Sequence, residues 1–338
     1  MRISIDAFGG DHAPKAIVAG ALEAANEFPE AELILVGDEA QIQSLLAQQG
    51  EPPANVKVRH ASEVIEADEE PVRAVRRKKD ASMIVAASMV RDREADAMIS
   101  AGNTGALMAA GVFVVGRMPG IERPALSPMI PTMDGTGVLA LDLGANMDAT
   151  AEQLAQYAVM GSIYRTRVHK IDRPRVGLLN VGTEPGKGNE LTKAAFPLLE
   201  EAPIRFVGNV EARDVLNGVC DVLVCDGFVG NVLLKAIEGT ASTVFGALKE
   251  EFTRTTVSKL AAALLRPGLR KFRDKMDYRE HGAAPMLGLN GLVMKCHGSS
   301  DAVAVKNAVR QTVTAVRAEV VGTIALELGK GDRENERK

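Results

Sequence analysis

The stretch Gly137-Val-Leu-Ala-Leu-Asp-Leu-Gly-Ala-Asn146, followed by Thr150-Ala-Glu-Gln153, decides the fold class. Its apolar run from Val138 to Leu141 is short, unbroken and rich in branched side chains, as in a strand covered on both faces. The glycine and asparagine that follow are turn chemistry. Thr150 with Gln153 three residues later is a capping box, which opens a helix. Strand, polar loop and helix succeed one another within twenty residues, and the same succession recurs along the chain. Comparable apolar runs are Ile3-Ser-Ile5, Glu32-Leu-Ile-Leu-Val36, Val56-Lys-Val58, Ala97-Met-Ile99, Val176-Gly-Leu-Leu-Asn180, Ile204-Arg-Phe-Val207 and Asp221-Val-Leu-Val-Cys225. This alternation predicts an α/β fold, a mostly parallel sheet with helices on both faces.

Residues 1–330 read as one large α/β domain with room for two lobes. Within it, residues 240–280 form a basic amphipathic helical excursion, and 331–338 form a charged tail expected to fray. Pro14 fits a first helical position, and a last long helix is expected from about Asp301 to Leu328, with Ser299 or Ser300 as its N-cap. Pro267 is expected to break the basic excursion into two pieces.

The 338 residues are 46% apolar, enough for a sizeable core. No apolar run approaches the length of a membrane span, and the N-terminal residues have the pattern of a charged strand rather than a signal peptide, so a cytoplasmic protein is expected. A net charge of −4, no tryptophan and few aromatics argue against a nucleic-acid partner. Against that acidic background, seven Lys or Arg and one acid, Asp274, lie between Arg254 and Lys275. Cys220, Cys225 and Cys296 have neither disulfide nor zinc spacing, and no metal site is expected.

Four segments share one design, a polar loop between a strand and a helix. They are Ser100-Ala-Gly-Asn-Thr-Gly105, Asp142-Leu-Gly-Ala-Asn146, Gly182-Thr-Glu-Pro-Gly-Lys-Gly-Asn-Glu190 and Asp226-Gly-Phe-Val-Gly-Asn231. In an open α/β sheet ligands sit at the carboxyl ends of strands, where helix N-termini offer free N–H groups to an anion. Gly102, Asn103, Thr104, Gly105, Thr183, Gly230 and Asn231 are therefore candidates for binding phosphate. Lys187, set among glycines, would add a mobile positive charge. Nucleotide signatures fail: Gly188 follows Lys187 where a P-loop has Ser or Thr, Val181 stands at its first glycine, and Asp6-Ala-Phe-Gly-Gly-Asp11 lacks the dinucleotide spacing. No Gly-x-Ser-x-Gly elbow occurs, and Cys296 and His297 would face opposite ways on a strand.

In this order the loops closely resemble the phosphate acyltransferase (PlsX) family over nearly the whole chain. The matching segments include Asp6–Asp11, Ser100–Ala106, Leu141–Asn146, Leu179–Glu184, Asn209-Val-Glu211, Asp226–Asn231, Leu287–Gly291 and His297-Gly-Ser-Ser300. Phe8 and Ala212 depart from the pattern, where Met and Gly are usual, without changing charge. The resemblance implies a fold similar to phosphotransacetylases and to isocitrate and isopropylmalate dehydrogenases, and a homodimer. It implies transfer of a fatty acyl group from acyl carrier protein to inorganic phosphate, without cofactor, feeding a downstream membrane glycerol-3-phosphate acyltransferase. Asn146, Lys187 and His297 are then the catalytic candidates. Arg266, Arg270, Lys271 and Arg273 are candidates for contact with the carrier protein or a membrane surface. The alternatives are a phosphotransacetylase-like enzyme using acyl-CoA and an NAD-dependent hydroxyacid dehydrogenase.

Overall fold

The computed structural model describes residues 1–275 and 282–335, with the side chains of 267, 269–275 and 329–335 left aside. Twelve strands are described: β1 Arg2–Asp6, β2 Glu32–Gly37, β3 Val56–His60, β4 Ala97–Ser100, β5 Ala125–Leu126, β6 Met129–Ile130, β7 Val138–Leu141, β8 Arg175–Asn180, β9 Arg205–Glu211, β10 Val222–Val224, β11 Ala283–Leu287 and β12 Leu292–Cys296. They form two sheets, one in the order β3-β2-β1-β4-β12-β11-β5 and the other β6-β7-β10-β8-β9. The central pairs β1/β2, β1/β4, β4/β12, β7/β10, β8/β10 and β8/β9 are parallel. β5, β6 and β11 add antiparallel partners near one end of each sheet.

The α/β class and the parallel sheet hold, and all eight apolar runs overlap strands. The four strands not anticipated, β5, β6, β11 and β12, are two-residue pieces or lie next to a glycine-rich turn. Parallel strands need helical crossovers, and those helices cover both faces, so β1, β4, β7 and β10 are nearly free of solvent. The Thr150 capping box forms as expected, with Gln153 returning the bond.

Four boundaries differ from expectation. The first helix starts at Lys15 with Pro14 as its N-cap residue. Asp301, rather than Ser299 or Ser300, caps the helix Ala302–Arg317, its carboxylate accepting from Ala304 N at 2.9 Å. The long terminal helix is two helices, Ala302–Arg317 and Val320–Asn335, because Glu319 adopts a left-handed conformation (φ 51°) that ends the first. The basic excursion comprises the distal part of helix Gly227–Arg254 and helix Thr256–Lys275. Its break falls at Thr255 rather than Pro267: Thr255 is extended, and its hydroxyl caps the following helix by accepting from Ser258 N at 3.0 Å.

Candidate active site

The strand ends meet where the sequence placed its polar loops. After β4, the buried Asp6 carboxylate accepts from the hydroxyls of Ser82 and Ser100, each at 2.6 Å, and Ser100 Oγ accepts from Gly102 N. Asn103 is committed to the loop itself. Its Oδ1 caps the helix Thr104–Ala110 by accepting from Ala106 N at 3.0 Å, and its Nδ2 donates to Ala67 O at 2.8 Å. Gly102 and Gly105 let the loop pack closely: a Cβ would stand 2.6 Å from Met83 at the first and 2.7 Å from Pro71 at the second. The result presents Thr104 to a cleft of about 340 Å³.

After β7, the Asp142 carboxylate accepts from Leu126 N at 2.8 Å, Ala145 N at 2.9 Å and Asn146 N. Burial pushes its pKa up to about 6, against the lowering effect of those N–H groups. Asn146 donates through Nδ2 to Gln153 Oε1 at 2.7 Å and Tyr157 OH at 3.1 Å, while its carbonyl accepts from Gly227 N. Its amide thus ties the loop to two helices, and Asn146 is not part of the cleft lining. After β10, Asp226 caps helix Gly227–Arg254 by accepting from Phe228 N and Val229 N. Gly230 seats that helix against the neighbouring loop, with Asp142 O 2.1 Å from where a Cβ would be. Asn231 then lies over Gly144 and reaches the cleft.

The end of β12 closes the site with Lys295, His297 and Gly298. The wall between these polar groups is apolar and includes Leu126, Met129, Leu143 and Leu234. Lys295 and Cys296, the last two residues of β12, are buried and His297 just beyond the strand is exposed, and all three contribute to the lining. His297 Nδ1 lies 2.8 Å from Ser299 Oγ and accepts from Ser299 N at 3.3 Å, which places the proton of the neutral ring on Nε2. Desolvation lowers its pKa, Lys295 and Lys235 add to that effect, and Glu238 and Asp11 oppose it. The neutral ring is therefore favoured.

Of the residues predicted from sequence, the cleft gathers Thr104, Asn231 and His297. Gly102, Asn103, Gly105 and Gly230 shape the loops that present them. Thr183 and Lys187 are exposed on a loop outside this lining. That loop is held by Asn180 Nδ2 donating to Lys187 O and Asn209 Nδ2 donating to Glu184 O. It borders a second, largely apolar groove of about 400 Å³ between Val181, Leu179, Val229 and Leu233. Helix Gly227–Arg254 divides the two: Asn231, Leu234, Lys235 and Glu238 face the cleft, while Val229, Val232, Leu233 and Ala236 face the groove. Arg266 is exposed on helix Thr256–Lys275. Arg270, Lys271 and Arg273 share that helix, and their side chains lie outside the described residues. Lys295 is a further cleft residue: in the sequence it stands with His297 and the hydroxyls of Ser299 and Ser300 in the segment Lys295–Asp301, which fits a site and a capped helix start equally well, and the structure brings it into the lining.

The family model described as fatty acid synthesis protein matches residues 1–323. A phosphate acyltransferase from Brevibacillus brevis is 60% identical over 330 residues, 98% of each chain. Another, from Oceanobacillus iheyensis, is 57% identical over 337 residues, 99% of this chain and all of that one. The chain belongs to the phosphate acyltransferase (PlsX) family. It is an acyltransferase of fatty acid synthesis. A phosphotransacetylase from Streptococcus pyogenes shares the fold, with a TM-score of 0.59, 17% identity and 94% coverage of each chain. In this chain the ends of β4 and β12 in one sheet, and the loop after β7 and the helix after β10 in the other, line one cleft. Among the described residues, no group of three or more His, Cys, Asp or Glu is placed to hold a metal, and no helix is long and apolar enough to cross a membrane.

Proposed function

We propose that the cleft moves a fatty acyl group from the thioester of acyl carrier protein to inorganic phosphate, giving acyl phosphate for phospholipid synthesis. The observation that carries this reading is the convergence of Thr104, Asn231 and His297, from three separate strand ends, on one cleft with an apolar wall. Phosphate is already anionic and needs little activation. A site for it must hold the anion against the thioester carbon and stabilise the oxygen that becomes negative in the tetrahedral intermediate. The Thr104 hydroxyl and Asn231 amide supply hydrogen bonds without charge, and His297 Nε2 supplies a donor at the cleft rim. Leu126, Leu143 and Leu234 suit the first methylenes of an acyl chain.

The surface supports the membrane part of this reading. In helix Thr256–Lys275, Val257, Leu260, Leu264 and Leu265 are exposed beside Lys259 and Arg266. Apolar and basic groups side by side favour shallow binding to an anionic membrane, where the acyl phosphate would be released to a membrane acyltransferase. A homodimer fits the family reading.

The test is to incubate the purified protein with palmitoyl-acyl carrier protein, with and without phosphate. Free carrier thiol and acyl phosphate trapped as hydroxamate are then measured. Phosphate-dependent appearance of both, in equal amounts, supports the reading. Turnover with acyl-CoA and none with the carrier-protein thioester would replace the donor. NAD reduction with a hydroxyacid would replace the reaction.

A further inference from the structure

Lys295 is 8% exposed, occupies the penultimate position of β12 beside Ser100 of β4, and lines the cleft. Its ammonium donates to the carbonyls of Cys296 and, at 3.5 Å, Ala101. Both acceptors are neutral. Buried lysines are rare unless paired, because a charge removed from water costs several kcal/mol when nothing opposes it. No acid forms an ion pair with it among the described residues. Burial lowers its pKa, and Asp6, whose carboxylate accepts from the Ser82 and Ser100 hydroxyls, and then Asp11 oppose that only through the longer-range field. Across the cleft, Lys235 and Glu238 neutralise each other at 2.7 Å. For His297 and Cys296, the remaining titratable groups of the lining, burial favours the neutral form. The ammonium in the cleft wall therefore has no ion-pair partner among the described residues, its burial offset only by the longer-range field of groups such as Asp6 and Asp11, and an anion in the cleft would complete it.

We infer that the Lys295 ammonium is the counter-ion that binds inorganic phosphate in this cleft. This rests on the acyl-transfer reading above and names the residue that holds its nucleophile. An oxygen of hydrogen phosphate dianion attacks the thioester carbon, the C–O bond forms, and the carbonyl oxygen becomes negative. The intermediate collapses with cleavage of the C–S bond. The departing thiolate takes the phosphate proton, leaving acyl phosphate dianion and a thiol. Lys295 keeps its proton and its charge throughout, so its contribution is to binding and position.

The substitution Lys295→Met separates this role from a structural one. If the ammonium awaits an anion, the variant without phosphate melts no lower than the parent. It also loses the upward shift in melting temperature that phosphate, but not chloride at equal ionic strength, gives the parent. Its KM for phosphate rises at least about ten-fold while kcat changes by no more than a few-fold, the pattern of lost ground-state binding. If Lys295 only ties carbonyl groups together, the variant melts lower and keeps both the phosphate shift and the phosphate KM, which overturns the inference. Lys295→Gln, which retains a donor for the carbonyls and removes the charge, serves if the Met variant does not fold, with the same expected and overturning outcomes. A parent protein that neither responds to phosphate nor forms acyl phosphate would instead take down the acyl-transfer reading and this inference with it.

Discussion

The loop Gly182–Asn189 and the strand end Lys295–Gly298 each carry a lysine beside hydrogen-bonding groups after a parallel strand, and they have opposite surroundings. The loop is the better phosphate cradle by composition, with three glycines, a threonine and an asparagine around Lys187. It is nevertheless exposed and borders an apolar groove. The strand end has the composition of an ordinary core strand, yet its lysine is buried in the wall of the polar cleft. The difference lies in strand order. β12 lies beside β4, so its end meets the Thr104 loop, whereas β8 lies on the far side of β10 from β7. Local composition says what a loop can bind, and topology decides what it faces.

The largest effect that sharpens this contrast is steric. At Gly230 a Cβ would fall 2.1 Å from Asp142 O, 2.6 Å from Leu143 and 2.8 Å from Cys225 Sγ. A backbone oxygen cannot move aside as a side chain can. Gly230→Ala should therefore cost about 3 kcal/mol, the upper part of the overpacking range, and abolish turnover by displacing Asn231. Gly186, in the Lys187 loop, has nothing within 4 Å of its Cβ position. Gly186→Ala should stay within about 0.5 kcal/mol of the parent, as exposed substitutions do. Urea denaturation of the two variants checks both; equal costs would mean that the two loops are equally constrained.

Much of this is legible in the sequence. The α/β class follows from apolar runs too short for helices and too continuous for exposed strands, and those runs are strands in all eight cases. Thr104, Asn231 and His297 are legible because ligands in an α/β sheet sit at the carboxyl ends of strands, although the same loops also offer Asn103 and Asp226, whose side chains cap helices. What escapes is long-range. Asn146 has the makings of a ligand group from its loop, but its amide is used by Gln153 and Tyr157, partners supplied by the following helix. β11 and β12 are hidden because they flank Gly288 and Gly291, which interrupt the apolar pattern. With β12 not identified, the segment Lys295–Asp301 reads equally well as a site and as a capped helix start, and nothing local decides between them.

A smaller effect belongs to His297. Replacing it with Gln keeps hydrogen-bonding capacity and removes titration, so turnover should fall by roughly ten- to a hundred-fold, at or below the low end for loss of a positioned imidazole. The pH dependence has a definite sign. Desolvation first, then the nearby lysines, lowers the His297 pKa below 6.5. The neutral ring therefore persists to lower pH than an ordinary histidine, and its contribution is lost only as pH falls through that lowered value. The ratio of parent to variant rate, which cancels the ionisation of phosphate itself, should decline on acidification with a midpoint below the ordinary histidine value of 6.5. A midpoint above 6.5 would place the ring in a more anionic setting than the cleft provides.

The smallest effect is the sharpest test of topology. Lys187 is exposed, and no described residue of the 340 Å³ cleft comes from its loop. An exposed ammonium acting across the intervening helix is weakened by solvent and by salt beyond about 8 Å at physiological ionic strength. Lys187→Ala should change the phosphate KM less than about two-fold, and that small change should vanish when salt is raised to about 1 M. The comparison with Lys295→Met must be made in one assay, on one carrier-protein substrate, with phosphate varied. If Lys187→Ala raises the phosphate KM as much as Lys295→Met does, the loop closes over the cleft during turnover, and its glycines serve motion rather than a static turn. If only Lys295→Met moves it, strand order alone has selected which of two similar lysines meets the anion.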